Sequence, residues 1–229
     1  MWPTLNQPWY FHEAFGIAIC DQGYVYIADQ YGNCIIKYTN EGHFVTKWGK
    51  TGSGDGQFSY PQGLAIDNGG NVYVADRNNY RIQKFDSNGN FLLKWGTYGS
   101  GNGEFISVFG VAVDSSGYVY VTDKLNDRVQ KFNSDGEFID KWSSFPSSIG
   151  RFDFPLGISV GHNDRIYVVD SWHDRVVHFT SEGEYLGEWG GAGSSDGEFV
   201  SPVGVTVDSD GFVYVPDDQR RDNKVQKFS

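Results

Sequence analysis

Residues 72–85 read Val72-Tyr-Val-Ala-Asp-Arg-Asn-Asn-Tyr-Arg-Ile-Gln-Lys-Phe85, and a close copy returns 47 residues later between Val119 and Phe132. Almost the whole chain of 229 residues keeps this spacing. A fixed period of roughly 20 to 50 residues is typical of stacked or radial repeats. Three residue types recur on the period: Asp29, Asp76, Asp123, Asp170 and Asp217; Trp48, Trp95, Trp142 and Trp189; Gly16, Gly63, Gly110, Gly157 and Gly204.

One repeat, from Phe58 to Trp95, contains four candidate strands. Gly63–Asp67 is short and apolar, and Asn71–Asp76 alternates as a strand does. Arg81–Phe85 and Asn90–Trp95 give two more, with glycine-bearing hairpin turns before Asn71 and Asn90. Four antiparallel strands per repeat are typical of a propeller blade. The sequence therefore predicts an all-β fold, a β-propeller of five four-stranded blades.

The segments Gly-x-Ala-x-Asp, Val-Tyr-Val-x-Asp and Arg-x-Gln-Lys-Phe resemble NHL repeats in all five units. Asp76–Arg81 and Asp123–Arg128 resemble them most closely. The resemblance implies a propeller, for which six blades is the common form among NHL-like domains. It implies little about activity, because one architecture hosts many functions.

Closure of the ring depends on the N-terminal residues. The apolar-to-tryptophan spacing of Leu5–Trp9 matches that of Phe138–Trp142, so we expect an N-terminal strand to supply the fourth strand of the last blade. The alternative alignment equates Trp2 with Trp48. The chain then holds five blades' worth of a six-bladed propeller, or closes with a second chain.

Charge and hydropathy narrow the classes of partner. The chain has 18 Lys and Arg against 29 Asp and Glu, a net charge of −11. Because binding to phosphate backbones depends on basic side chains, this balance argues against nucleic acid as a partner. No stretch approaches the roughly 18 apolar residues of a membrane span, so we expect no membrane partner. The unbroken period predicts one domain over residues 1–229.

The two cysteines lie in the first repeat, where Cys20 ends the first strand and Cys34 begins the third. This places them at opposite ends of a blade. Five residues at about 3.3 Å each separate them along the strand direction. That distance exceeds the limit of about 7 Å between the Cα atoms of a disulfide. We therefore expect free thiols.

The recurring aspartates have recurring arginine partners. In three repeats the Asp ends one strand and an Arg five residues later begins the next, so their side chains can meet as a charge-assisted pair. Repeat one has Cys34 at the Arg position, and the loop of repeat five carries two extra residues before Val225. We interpret these pairs as structural blade corners rather than a ring of cation ligands, because Arg supplies the countercharge. The pairs are Asp76 with Arg81, Asp123 with Arg128, and Asp170 with Arg175.

The connections between second and third strands differ most among the repeats, so we expect the ligand site there. Trp172 lies off the tryptophan period, so the fold does not require it. An exposed aromatic ring suits stacking against a sugar, a peptide side chain or a cation. The candidate ligand-binding residues are Tyr31, Arg77, Tyr80, Trp172, His173 and Arg221.

These features favour a non-catalytic binding or scaffold module for a protein or glycan-like ligand, with no metal, cofactor or catalytic residue. The alternative is a metal-assisted lyase or hydrolase. Propeller enzymes that the chain resembles, the amidating lyases among them, need converging histidines, and the five histidines here are scattered. Single-stranded RNA binding, as in some NHL-like domains, is the third alternative. The chain is expected to act as a monomer or to assemble through an open blade.

Overall fold

The computed structural model describes residues 11–143, 150–217 and 224–229. The chain divides into two compact units, Met1–Val108 and Phe109–Ser229. Nearly all the described strands belong to antiparallel sheets whose strands follow one another in chain order. The prediction of an all-β propeller with five blades is confirmed. The expectation of a single domain over residues 1–229 stays a prediction.

The first unit holds blades one and two, each a sheet of four strands. Blade one consists of β1 Ala14–Ile19, β2 Val25–Asp29, β3 Cys34–Tyr38 and β4 Phe44–Trp48. Blade two consists of β5 Pro61–Ile66, β6 Val72–Asp76, β7 Arg81–Phe85 and β8 Phe91–Trp95. A short parallel pair follows, β9 Thr97–Tyr98 with β10 Glu104–Phe105.

The later blades have the same order of strands. Blade three consists of β11 Val108–Val113, β12 Val119–Asp123, β13 Arg128–Phe132 and β14 Phe138–Trp142. Blade four consists of β15 Pro155–Val160, β16 Ile166–Asp170, β17 Arg175–Phe179 and β18 Tyr185–Gly190. Blade five consists, in the described residues, of β19 Thr206–Val207, β20 Val213–Asp217 and β21 Lys224–Phe228. Single 3₁₀ turns cover Arg77–Asn79, Lys124–Asn126, His162–Asp164 and Ser171–His173.

The fourth strand expected for blade five lies outside the described residues. Leu5–Trp9 and Trp2, on which the two alignments of the N-terminus depend, belong to residues 1–10. The choice between closure by an N-terminal strand and five blades of a larger ring stays a prediction.

The periodic glycines lie where successive first strands approach closely. A Cβ at Gly110 would stand 2.8 Å from the carbonyl oxygen of Leu156, and one at Gly157 would stand 2.6 Å from the Cα of Gly204. Only a residue without a side chain permits such an approach between backbones. At Gly110 and Gly157 the period therefore records backbone contact between neighbouring blades.

The periodic tryptophans pack against the next blade. Trp142 of blade three stacks on Phe179 of blade four, with ring centroids 6.1 Å apart and an interplanar angle of 16°. Its indole also lies against Gly183, in the turn between β17 and β18, where a Cβ would overlap the ring. Trp48 makes the same contact with Gly89 in the first unit. Trp142 and Trp48 thus each join a blade to the third-to-fourth strand turn of its neighbour.

Both cysteines are buried free thiols, as the strand geometry predicts. Cys34 begins β3 and is fully buried, and burial raises the pKa of its thiol. In the described part of the chain, no helix is long and apolar enough to cross a membrane.

The contact between Gly183 and Trp142 gives a prediction on stability. Gly183 has φ of +84°, so Gly183→Ala carries the cost of a left-handed alanine, about 1 kcal/mol, and in addition an overlap with the indole. Overpacking of this kind costs about 1–3 kcal/mol. We expect the free energy of unfolding to fall by about 2–4 kcal/mol in urea denaturation.

Gly117→Ala is the matched control, because Gly117 has φ of +85° and no atom within 4 Å of a built Cβ. It should cost only about 1 kcal/mol. Equal losses in the two variants would show that the glycine–tryptophan contact does not select glycine.

Candidate functional site

The corner between β6 and β7 is a buried network around Asp76. Its carboxylate is fully buried and accepts from Arg81 Nε at 2.8 Å, from Asn79 Nδ2 at 2.9 Å and from Gln83 Nε2 at 3.0 Å. The amide of Ser59 donates to the other oxygen at 2.8 Å. A buried charge is tolerated only when it is paired and hydrogen-bonded in this way.

Arg81 extends the network to the loop between β4 and β5. Its Nη1 donates to the carbonyl of Ser53 at 2.7 Å, and its Nη2 donates to those of Gly54 and Gln57 at 2.9 and 2.8 Å. One guanidinium therefore holds the buried carboxylate and the incoming loop together. Lysine, with a single nitrogen, could not reproduce this planar fork.

The corners of blades three and four use the same positions. Arg128 Nε donates to Asp123 at 3.1 Å, and Arg175 Nε donates to Asp170 at 2.8 Å. Asn126 fills the place of Asn79 and donates to Asp123 at 2.6 Å. In blade four that place belongs to His173, whose Nδ1 lies 2.9 Å from the Asp170 carboxylate. His173, expected to bind a ligand, thus serves the corner as the asparagines do.

Blade one replaces the arginine by Cys34, and backbone amides take over its role at Asp29. The amides of His12 and Glu13 donate at 3.0 Å, and that of Gly32 donates at 2.9 Å. Burial acts to raise the pKa of Asp29, yet these amide donors and the His12 side chain outweigh it and hold that pKa below its usual range. A carboxylate bound by several amides remains charged without an arginine.

In blades one, three and four, the connection between the second and third strands ends on a left-handed Asn or Asp, whose side chain binds an amide of the next blade. Asp127 has φ of +48°, and its Oδ1 accepts from the amide of Phe154 at 3.1 Å. Asn33 has φ of +51° and accepts from the amide of Tyr60 at 2.8 Å. Asn and Asp adopt this conformation more readily than other side chains. These bonds set the position of two aromatic residues that precede first strands.

Trp172 lies on one of these aromatic residues. It is 67% exposed and stacks on Phe154, with ring centroids 4.6 Å apart and an interplanar angle of 21°. The amide of Trp172 also donates to the carbonyl of Asp153 at 3.3 Å. The ammonium of Lys124 is 4.7 Å from the centroid of Phe154. We call Lys124, Phe154 and Trp172 the Trp172 platform.

The first unit has two exposed aromatic pairs at the corresponding connections. Tyr31 is 55% exposed and meets Tyr60 edge to face at 5.4 Å. Tyr80 meets Tyr98 at 5.0 Å in the same way, and Tyr98 is exposed. The structure thus gives Trp172, Tyr31 and Tyr80 an aromatic neighbour each.

The remaining predicted site residues have other surroundings. Arg77 is half-buried, and its amide contacts the carbonyl of Tyr60 at 3.4 Å. Arg221 lies outside the described residues. The candidate site residues therefore remain predicted ligand contacts.

Sequence reasoning missed the aromatic partners Tyr60, Tyr98, Phe154 and the cation of Lys124. A signal for two of them existed, since Tyr60 and Phe154 occupy equivalent positions two periods apart. Both stand just before a first strand, but Tyr60 meets Tyr31 of the preceding variable connection, whereas Phe154 meets Trp172 of the following one. Nothing in the sequence marked Tyr98, which lies in a loop between blades.

Metal-binding groups were also sought among the side chains. Within residues 11–143, 150–217 and 224–229, no group of three or more His, Cys, Asp or Glu residues has the geometry to hold a metal ion.

Residues 58–85 match the family model described as NHL repeat. This match and the blade architecture together fit an NHL-repeat β-propeller. A comparison with curated protein sequences finds no match.

Solved structures resemble the whole chain at low identity. A gluconolactonase from Xanthomonas campestris is 17% identical with a TM-score of 0.71, and the aligned region covers 94% of this chain and 72% of the gluconolactonase chain. Virginiamycin B lyase from Staphylococcus aureus is 15% identical with a TM-score of 0.68, and the aligned region covers 97% of this chain and 71% of the lyase chain. At such identities the likeness shows the fold alone.

The Asp76 network gives a prediction for Arg81. Arg81→Met should leave a buried carboxylate without its countercharge and three loop carbonyls without their donor. Breaking a buried pair in this way costs about 3–5 kcal/mol. Urea denaturation should show that loss in the free energy of unfolding.

Lys94→Ala is the control within the same unit, since it removes an ion pair with Asp55 whose side chains are both largely exposed. It should change stability by less than about 1 kcal/mol. If Arg81→Met were as stable as Lys94→Ala, Arg81 would not be a structural residue.

Proposed function

We propose that this NHL-repeat β-propeller is a non-catalytic binding module that holds a protein segment or a glycan-like ligand on the connections between its second and third strands. The observation that carries the proposal is the Trp172 platform. A tryptophan with two thirds of its surface exposed is not required by the core, and the corresponding residue of blade three is Leu125.

The platform is rigid before any ligand arrives. Trp172 belongs to the 3₁₀ turn Ser171–His173, which is bounded by the buried Asp170 and by the left-handed Asp174. Beneath it, Phe154 is fixed through its amide by Asp127. A ligand that stacks on a ring already held in place loses little additional side-chain entropy, so binding retains more of the contact energy.

The chemistry of the platform suits a flat, apolar group with an electron-rich edge. The exposed indole offers a π surface for a sugar ring or for an aromatic or proline side chain. Lys124 adds positive charge beside the aromatic pair. The chain as a whole is acidic, so such a local cation would orient an acidic or hydroxylated group toward the platform.

The first unit offers the same kind of contact with different residues. Tyr31 with Tyr60 and Tyr80 with Tyr98 are edge-to-face pairs rather than stacked ones. Each pair presents a phenolic hydroxyl that can donate or accept. Different aromatic pairs on one repeated frame support a role in selective recognition, because the frame is constant and the contact residues vary.

Screening of a glycan array and of a peptide library supplies the ligand for a test of the platform. Trp172→Ala should then weaken binding at least tenfold in calorimetry, since it removes the stacking surface. Trp172→Phe, which keeps an aromatic face, should retain most of the affinity.

Leu125→Ala is the matched control, because Leu125 occupies the same position in blade three and is also exposed. It should leave the affinity unchanged. Unchanged binding by Trp172→Ala, for every ligand found, would refute this assignment of the site.

A further inference from the structure

β21 has an open outer edge in the described part of the chain. Blade five is ordered β19-β20-β21, so β21 pairs only with β20. Val225 on β21 is 66% exposed. The corresponding residues of the four other third strands, each paired with a fourth strand, are completely buried: Ile35, Ile82, Val129 and Val176. The comparison shows which surface a fourth strand would cover.

The backbone groups that face this edge can be assigned. Pro216 lies opposite Val225, and its carbonyl accepts from the amide of Val203 at 3.3 Å, away from β21. The N–H and C=O of one strand residue point to the same side, so Pro216 and Val225 are a non-hydrogen-bonded pair. The N–H and C=O of Val225 therefore point to the open edge, and so do those of Lys227 two residues later.

The other blades define what fits this edge. Each third strand is covered by an antiparallel fourth strand, and in each blade the residue equivalent to Val225 lies opposite a tryptophan. All four covering segments share the pattern Gly-x-aromatic-x-x-x-Trp: Gly42–Trp48, Gly89–Trp95, Gly136–Trp142 and Gly183–Trp189. The chain thus contains four templates for a contact that β21 does not make among the described residues.

A cavity of about 470 Å³ lies where the glycine of such a segment would pack. Tyr167, Trp189 and Phe228 are among the residues that line it. Trp142 and Trp48, the equivalents of Trp189, each have a turn glycine against the indole. At Trp142 and Trp48, a turn of the next blade fills the space that corresponds to this cavity.

His178 adds a polar contact to the cavity. It occupies the position of Lys37 and Lys131, whose Nζ atoms donate to the carbonyls of Ser87 and Ser181 in the turn of the next blade. His178 Nδ1 is buried and has no hydrogen-bond partner among the described residues. A carbonyl of an incoming turn would accept from this nitrogen.

We propose that the open edge of β21 and the adjoining cavity form a docking site for an extended partner segment of the pattern Gly-x-aromatic-x-x-x-Trp. The segment adds antiparallel to β21 as a fourth strand. Its backbone pairs with Val225 and Lys227, its tryptophan lies opposite Val225, and its glycine packs on Trp189. Strand addition to an exposed edge is a general mode of peptide recognition, in which the backbone supplies affinity and the side-chain pockets supply specificity.

A peptide with the sequence of residues 86–95, labelled with fluorescein at its N-terminus, is the probe. Fluorescence anisotropy with the full chain should show saturable binding. The same peptide with Ser at the positions of Gly89, Phe91 and Trp95 should bind at least tenfold more weakly. Absence of saturable binding, or equal binding of the two peptides, overturns the proposal.

Val225→Pro tests the geometry of the edge. It removes one outward N–H and leaves the pairing of β21 with β20 intact, and proline is tolerated on an edge strand. It should weaken peptide binding at least tenfold. Val225→Thr keeps the N–H and the β-branched shape, so its affinity should lie within twofold of the unmodified chain. Undiminished binding by a folded Val225→Pro overturns the proposal.

Amide hydrogen exchange of the unmodified chain gives a readout that does not depend on a variant. The amides of Val225 and Lys227 should exchange quickly without peptide and slow at least tenfold when the peptide is bound, while that of Gln226 changes little. Slow exchange at both positions in the free chain would mean that the edge is already paired, and it would also overturn the proposal.

Discussion

The architecture depends on a buried carboxylate at the end of every second strand. Asp29, Asp76, Asp123, Asp170 and Asp217 are each no more than 2% exposed. Taking such a charge out of water costs several kcal/mol unless donors surround it. The surrounding structure is therefore built to supply donors. An amide comes from the segment that leads into the same blade's first strand, as with Ser59, Asp153 and Val200. In blades two to four an arginine of the following third strand donates as well.

This requirement explains why the connections can vary. Once the carboxylate, the Arg and the donor at the end of the 3₁₀ turn fix the backbone, the outward residues between them make no contribution to the corner. Tyr31, Leu125 and Trp172 are all exposed there. Blade one shows that the buried carboxylate requires hydrogen-bond donors but not an arginine, because backbone amides and His12 satisfy Asp29. A constant corner that carries variable residues is a suitable frame for recognition.

Much of the fold could be predicted from the sequence because the period imposes one solution on every repeat. The strands, their order and the Asp–Arg contacts of three corners all follow from spacing. The site was less predictable, because stacking is a matter of geometry between segments. Trp172 was identified by its departure from the period, but its partner Phe154 is set by a left-handed Asp127 in another blade. His173 stays a predicted ligand contact; it lies one period after Asn126, and its Nδ1 stands 2.9 Å from the carboxylate of Asp170.

Residues on the 47-residue period hold the fold, whereas we propose that Trp172 serves binding. Urea denaturation of Asp170→Asn and Trp172→Ala tests it with two positions in one turn. Asp170→Asn removes the buried carboxylate that pairs with Arg175 Nε, although Arg175 keeps its ion pair with Glu188, and should lower the free energy of unfolding by about 3 kcal/mol. Trp172→Ala should lower it by about 1 kcal/mol or less, since only its stacking on Phe154 is lost. Equal losses, or a larger loss for Trp172→Ala, would contradict the claim.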